Sequence, residues 1–185
     1  RYSLGIILFS IVVISCNIYS MCQGLFDTIT KSSFQVASII TTAGFTTTDF
    51  DLWPKTSQII LVMLMFVGAC AGSTGGGIKV SRFVILFKTI FKEFNSYIHP
   101  HSVKKIKMDG KAVEHEVVRS INVYFITFVT VFTLSLLIIS FNGHDLETNF
   151  TAVAATINNI GPGLSLVGPT QNFQFFSNLS KYVFI

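Results

Sequence analysis

The sequence predicts an all-α membrane protein assembled from tandem units, each running helix, re-entrant loop, helix. Three observations lead to that class. Half of the residues are hydrophobic, the mean hydropathy is +0.62 and only 12% are charged, about half the charged share usual in soluble domains. Charge is missing in blocks: Tyr2 to Cys22, Thr56 to Ile78 and Ser120 to Gly143 contain no Asp, Glu, Lys or Arg, and about 20 apolar residues carry a helix across the hydrocarbon core. Beside these blocks lie two short uncharged segments rich in Thr, Asn, Ala and Gly, Ser32 to Thr48 and Thr148 to Ser165.

The first block, Tyr2 to Cys22, is too long for the apolar core of a secretory signal and lacks a small-residue cleavage site, so it reads as a spanning helix. The chain opens at Arg1 without Met and stops as the apolar run Tyr182-Val183-Phe184-Ile185 begins, which reads as a piece of a longer chain. Cys16, Cys22 and Cys70 are odd in number and sit in or beside apolar segments. They read as free thiols used as small hydrophobes.

The segment from Ser32 is too short to cross alone and reads as a half-helix, about Phe26 to Ile40, followed by extended backbone, Thr41-Thr42-Ala43-Gly44-Phe45. Non-helical backbone at membrane depth is tolerated where protein buries it or a water-filled path lines it. A path for a weakly hydrated cation such as potassium replaces water with neutral oxygens. Aiming successive carbonyls at one axis needs unusual backbone angles and no obstructing side chain, and glycine meets both needs. Thr41 and Thr42 add hydroxyls, and the carbonyl end of the half-helix favours a cation. Asp49 and Asp51 lie beyond the loop, at its outer mouth or in a solvated turn.

The second block runs into Gly68-Ala69-Cys70-Ala71-Gly72-Ser73-Thr74-Gly75-Gly76-Gly77-Ile78-Lys79. A single helix from Pro54 to Phe91 would be about 57 Å long, beyond a membrane's thickness, and each interior Gly weakens it by roughly 0.5–1 kcal/mol. A break is therefore predicted. A phosphate-binding loop is excluded, because Ile78 separates Gly77 from Lys79 and no Ser or Thr follows the lysine. Close helix packing through Gly68 and Gly72 suits the first glycines. An unwound gate with Ser73 and Thr74 under the filter accounts for all of them.

Of the 13 Lys and Arg, those at 79, 82, 88, 92, 104, 105, 107, 111 and 119 follow this block. The positive-inside rule places that connector in the cytoplasm. The flanking spans account for the bias, so no nucleic acid is expected. The last span then leads to Thr148–Ser165, whose Asn158-Asn159-Ile160-Gly161-Pro162-Gly163 falls where Thr41-Thr42-Ala43-Gly44-Phe45 falls in the first unit. Setting Gly44 on Gly161, an offset of 117 residues, also aligns Ala37 with Ala154 and Ile40 with Ile157. Two units do not enclose an axis, so further copies are expected upstream.

These motifs carry a family resemblance. Gly72-Ser73-Thr74-Gly75-Gly76-Gly77-Ile78-Lys79-Val80-Ser81-Arg82 resembles the signature of the third repeat in the Trk/Ktr/HKT potassium transporter superfamily, Thr41-Thr42-Ala43-Gly44-Phe45 its filter, and Asn159-Ile160-Gly161-Pro162-Gly163 the filter of the fourth. The resemblance implies the C-terminal half of a pore-forming subunit with tandem helix–pore-loop–helix repeats of potassium-channel-like architecture. Residues 1–92 would be the third repeat, 93–112 a basic cytoplasmic linker and 113–185 a fourth repeat truncated in its last helix. It implies potassium uptake across the cell inner (cytoplasmic) membrane by a multi-pass protein. Thr41, Thr42, Ala43, Gly44, Asn158, Asn159, Ile160 and Gly161 would form the filter. Gly68, Gly72, Ser73, Thr74, Gly75, Gly76 and Gly77 would form a gating loop, with Lys79 and Arg82 either gating or snorkelling at the helix end.

By the same resemblance the protein forms a homodimer in the lipid bilayer on a cytosolic ring of nucleotide-binding regulatory (RCK-type) subunits. The basic loop Lys92 to Lys111 would meet that ring or the inner leaflet. His99, His101, His115 and His144 show no metal-ligand arrangement and no catalytic constellation is present, so the chain reads as a non-enzyme that binds no cofactor, with potassium as its substrate. A secondary transporter built on broken helices is the alternative reading.

Overall fold

The computed structural model describes residues 2–68, 75–98, 107–108 and 111–184. The elements are all-helical apart from two short strand pairs. Helix α1 covers Tyr2–Ile18, α2 Leu25–Ile40, α3 Lys55–Phe66, α4 Val80–Ile98, α5 His115–Ser140, α6 Leu146–Ile157 and α7 Asn178–Val183. Single 3-10 turns occupy Tyr19–Met21, Phe50–Leu52 and Ser165–Val167. Strand β1 (Val67–Gly68) pairs in parallel with β2 (Ile78–Lys79), and β3 (Lys107–Met108) pairs antiparallel with β4 (Lys111–Ala112).

Among the described residues, two segments are long and apolar enough to cross a membrane, Tyr2–Met21 and His115–Ser140. The second charge-free block is not a continuous span. Helix α3 stops at Phe66 after 12 residues, about 18 Å, and helix resumes only at Val80. The predicted break thus begins one residue before the first of the five glycines. Gly68 and Gly77 lie backbone against backbone: a Cβ on Gly68 would come within 3.0 Å of the Gly77 carbonyl carbon. Side chains are kept out of that contact, so Val67 and Ile78 can pair in parallel.

Polarity is arranged inside out. α1 and α5 expose large apolar side chains: Leu4, Leu8, Phe9 and Val12 on one, Ile126, Leu134 and Leu137 on the other. The two short helices bury polar side chains instead, Thr28, Ser32, Gln35 and Ser38 on α2 and Thr148, Asn149 and Thr151 on α6. A soluble fold does the reverse, whereas hydrocarbon solvates apolar faces and leaves polar groups to find partners within the protein.

Packing between helices accordingly rests on shape and on a few polar contacts. Ser15 on α1 meets Ser32 on α2, hydroxyl to hydroxyl, at 2.6 Å; such links are worth about 0.6 kcal/mol in a membrane. Ile14 and Ile18 of α1, Val36, Ile39 and Ile40 of α2, and Leu61, Leu64 and Met65 of α3 form the first core. Phe66, the last residue of α3, joins this unit to the second through edge contacts with Phe132 of α5 (5.5 Å) and a tilted contact with Phe150 of α6 (6.0 Å).

Each short helix needs a defined start. Helix α6 has an Asp145 cap whose carboxylate accepts from the Thr148 amide (3.1 Å) and hydroxyl (2.6 Å). These bonds hold the Asp145 carboxyl below the usual carboxylate range. The cap's contribution is therefore complete above the unfolded carboxylate pKa of about 3.9 and is lost as pH falls through the lower folded value. Asp145→Ala is expected to destabilise the protein by about 1 kcal/mol. Thermal unfolding in detergent at neutral pH checks this, and the difference between the two proteins should vanish in strong acid.

Candidate functional site

The site is built where α2 and α6 end. After Ile40, the Thr42 amide donates to the Ile39 carbonyl (3.0 Å) and the Ala43 amide reaches back to the Ser38 carbonyl (2.9 Å). After Ile157, the Asn159 amide donates to Thr156 (3.0 Å) and the Ile160 amide to Ala155 (2.8 Å). The donors and acceptors of one end map onto those of the other at the 117-residue offset. Both are the helix-closing pattern that pairs the last carbonyls with the next amides and needs a left-handed residue at its turn.

Glycine usually fills that turn, but Thr42 (φ 56°) and Asn159 (φ 53°) fill it here. Asn tolerates the left-handed region. A β-branched Thr is an outlier there, held at roughly 1–3 kcal/mol of strain. Two residues later the glycines follow, Gly44 at φ 73° and Gly161 at φ 106°. A side chain at Gly44 would overlap the Ile160 carbonyl oxygen, while the space beside Gly161 is open. The two loops therefore touch, backbone to backbone, at Gly44.

The glycines just before β2 lie against both loops. The Gly76 amide donates to the Thr42 hydroxyl at 3.3 Å, and a Cβ on Gly76 would run into the main-chain oxygen of Asn158. Gly77, at φ 78°, sits beside the Asn158 side chain, whose amide nitrogen donates to the Ala154 carbonyl at 2.8 Å. Thr41 uses its hydroxyl on the Ala37 carbonyl of its own helix (2.6 Å). Gly72, Ser73 and Thr74 fall outside the described residues.

Lys79 lies in β2 opposite Gly68. Arg82, in the first turn of α4, does not reach the loops: its guanidinium stacks over the Tyr124 ring of α5, 3.9 Å from the centroid. Such a contact is worth about 0.5–2 kcal/mol. His144 packs edge-on against Phe175 and Phe176. No cluster of His, Cys, Asp or Glu fit for a metal occurs among the described residues.

Asp49 and Asp51, read from the sequence as lying at the outer mouth or in a solvated turn, both find partners in the second unit. The Asp51 carboxylate accepts the Ser165 amide of the second unit at 3.0 Å, and Asp49 accepts the Thr170 hydroxyl at 3.3 Å. The chain thereby ties the two outer loops together across more than a hundred residues. Ser165 itself is left-handed, φ 58°, so its amide is presented by a strained turn. An Asp-x-Asp pair after a loop was the only signal in the sequence, and it does not name its partner.

Chemically, the loops offer neutral oxygens alone. Thr41 to Phe45 and Asn158 to Gly163 contain no ionisable side chain, leaving carbonyls, hydroxyls and amides, a donor set suited to a monovalent cation.

Comparison with known proteins agrees with this chemistry. Residues 4–185 match the model of the TrkH family, described as cation transport protein. The Trk system potassium uptake protein TrkH of Salmonella typhimurium is 36% identical over 178 residues, 94% of this chain and 36% of that protein. The Trk system potassium uptake protein TrkG of Escherichia coli is 36% identical over 184 residues, 98% of this chain and 37% of that protein. The crystal structure of the potassium transporter TrkH from Vibrio parahaemolyticus superposes with a TM-score of 0.89 at 35% identity, over all of this chain and 39% of that one. The chain thus spans little more than a third of the length of these relatives.

The ties between the outer loops can be tested by stability. Asp51→Ala leaves the part-buried Ser165 amide without its acceptor and is expected to destabilise the protein by about 1–3 kcal/mol. Thr170→Val, at an exposed bond, should change it by well under half as much. Thermal unfolding of both variants in the full-length protein measures the two effects side by side.

Proposed function

The chain belongs to the TrkH family of cation transport proteins, and from that premise we propose that it supplies part of a potassium uptake path through the cytoplasmic membrane. In this reading it forms two of four helix–pore-loop–helix repeats. Thr41 to Gly44 and Asn158 to Gly161 contribute main-chain oxygens to a selectivity filter. Gly75 to Gly77, just before β2, belong to the gate beneath it.

One observation carries the proposal. Two short helices with polar buried faces end in the same left-handed turn at the same spacing, each leading into an uncharged loop with a positive-φ glycine. A carbonyl filter needs that combination, since carbonyls exchange for the water shell of a potassium ion without trapping it. The names of the relatives, Trk system potassium uptake proteins, support the same substrate.

Orientation follows from charge. The basic stretch after Lys79 faces the cytoplasm, and the Asp49–Asp51 loop faces outward. A homodimer on a cytosolic ring of nucleotide-binding RCK-type regulatory subunits completes the proposal, with Lys92 to Lys111 turned towards that ring.

The test uses the full-length parent protein in bacteria that lack potassium uptake. Wild type should restore growth at low potassium and drive rubidium influx. Gly44→Ser places a side chain against the Ile160 carbonyl in a left-handed residue. A filter distortion of about 1.4 kcal/mol suffices for a tenfold loss of flux, so at least that loss, or a gain in sodium permeation, is expected. A Gly44→Ser protein that matches wild type in both would remove the carbonyl filter and favour a transporter with broken helices and a midplane site.

A further inference from the structure

We infer that Ser38 is a positioning residue for the first loop, gripping residues 43 to 45 and so fixing which carbonyls that loop offers to a cation. The inference deepens the potassium-path reading and rests on it for the effect on selectivity. The grip itself is a matter of contacts.

A hydroxyl within a helix ordinarily bonds a carbonyl of the preceding turn. On α2, Thr28 donates to Gly24 (2.8 Å), Thr30 to Phe26 (2.8 Å) and Ser33 to Ile29 (2.6 Å). Ser38 turns the other way. Its hydroxyl donates forward, out of the helix, to the Phe45 carbonyl seven residues on, at 2.6 Å. Ser38 is buried, and a polar group stripped of its partner in the interior is costly.

The main chain of the same residue takes hold of the loop as well. The Ser38 carbonyl accepts the Ala43 amide at 2.9 Å and the Gly44 amide at 3.5 Å. One residue in the last turn of α2 therefore holds three successive residues of the loop, two by their amides and Phe45 by its carbonyl. With its oxygen drawn against α2, Phe45 is withheld, and the row of carbonyls offered to the ion ends at Gly44. The number and field strength of such carbonyls set which cation is favoured, and releasing Phe45 alters both.

The second loop is held differently. At the 117-residue offset, Ala155 stands in place of Ser38 and Pro162 in place of Phe45. The Ala155 carbonyl keeps its bond to the Ile160 amide at 2.8 Å, but alanine has no hydroxyl to send forward. The ring of Pro162 fixes its own φ. The outgoing limb is caught later, where the Thr151 hydroxyl accepts the Leu164 amide at 3.0 Å. The forward hydroxyl grip thus belongs to the first loop.

The test uses four variants of the full-length parent protein. Ser38→Ala removes one oxygen and introduces the strongest helix former, so α2 is not weakened by propensity. Ser38→Thr keeps the hydroxyl. Ser33→Ala deletes a hydroxyl that bonds within the same helix. Two quantities are read: the ratio of rubidium to sodium influx in proteoliposomes, and hydrogen exchange of the peptide covering residues 41–46 in detergent. Ser38→Ala should lower the ratio about fivefold and speed the exchange by about the same factor, the equivalent of one lost hydrogen bond. Ser38→Thr should restore both, and Ser33→Ala should match wild type. Ser38→Cys, close in size with a weak donor, covers the case of an alanine variant that does not fold, and should shift both readings in the same direction.

A wild-type ion ratio in Ser38→Ala, or in Ser38→Cys where the alanine variant does not fold, overturns the inference and leaves the potassium path standing. The same fall in Ser33→Ala as in Ser38→Ala also overturns it, since the effect would then belong to the helix as a whole. If wild type carries no rubidium, the potassium path falls and exchange alone decides the grip: faster in Ser38→Ala but not Ser33→Ala supports it, and unchanged in both overturns it.

Discussion

Closure of helix ends away from water is the constraint on which the rest of this arrangement depends. A helix that stops inside the protein leaves its last carbonyls and the amides that follow to be paired locally. Helices α2 and α6 solve this identically, by folding two amides back onto the final turn. The solution obliges one residue per loop to adopt a left-handed conformation and turns the chain sharply. Everything at the site is set by where those turns leave the chain: Gly44 against the Ile160 carbonyl, and Gly76 against Asn158.

Bulk is excluded at each of these points because backbone meets backbone. Gly44 and Gly76 face carbonyl oxygens, and Gly68 faces Gly77. A protein that relied on side-chain packing would tolerate Ala at such places after small repacking. Main-chain atoms have no rotamer to change, so the tolerance is far smaller. The outer loops are joined differently, by the Asp49 and Asp51 carboxylates accepting from the second unit, because polar side chains are affordable where the loops meet solvent.

The hydrophobic effect contributes little to holding α1 and α5 in place, since hydrocarbon is as apolar as their exposed leucines and phenylalanines. Shape and aromatic edges substitute for it. Phe66 closes the last turn of α3 and at once packs on Phe132 and Phe150, so the residue that precedes the helix break also joins the two units. Burial of Thr, Ser, Asn and Gln on α2 and α6 places hydrogen-bonding capacity inside the protein, behind the loops that the proposed function gives to the cation.

Sequence by itself determined what depends on composition along the chain. Charge-free blocks located α1 and α5 to within a few residues, the crowded glycines located a break that begins after Phe66, and the spacing of Gly44 and Gly161 located the two loops. Tertiary structure decided what depends on partners far apart. The left-handed angle at Thr42 was illegible, because local propensity assigns that turn to glycine, and the Gly76 amide that meets its hydroxyl lies far along the chain. Asp49 and Asp51 read as mouth or solvated-turn residues until Ser165 and Thr170 stood opposite them, and the gating or snorkelling reading of Arg82 did not name Tyr124, whose ring it covers. A sequence records which groups can bond and how the backbone prefers to bend. Which group meets which is settled only when two helix ends more than a hundred residues apart share one place.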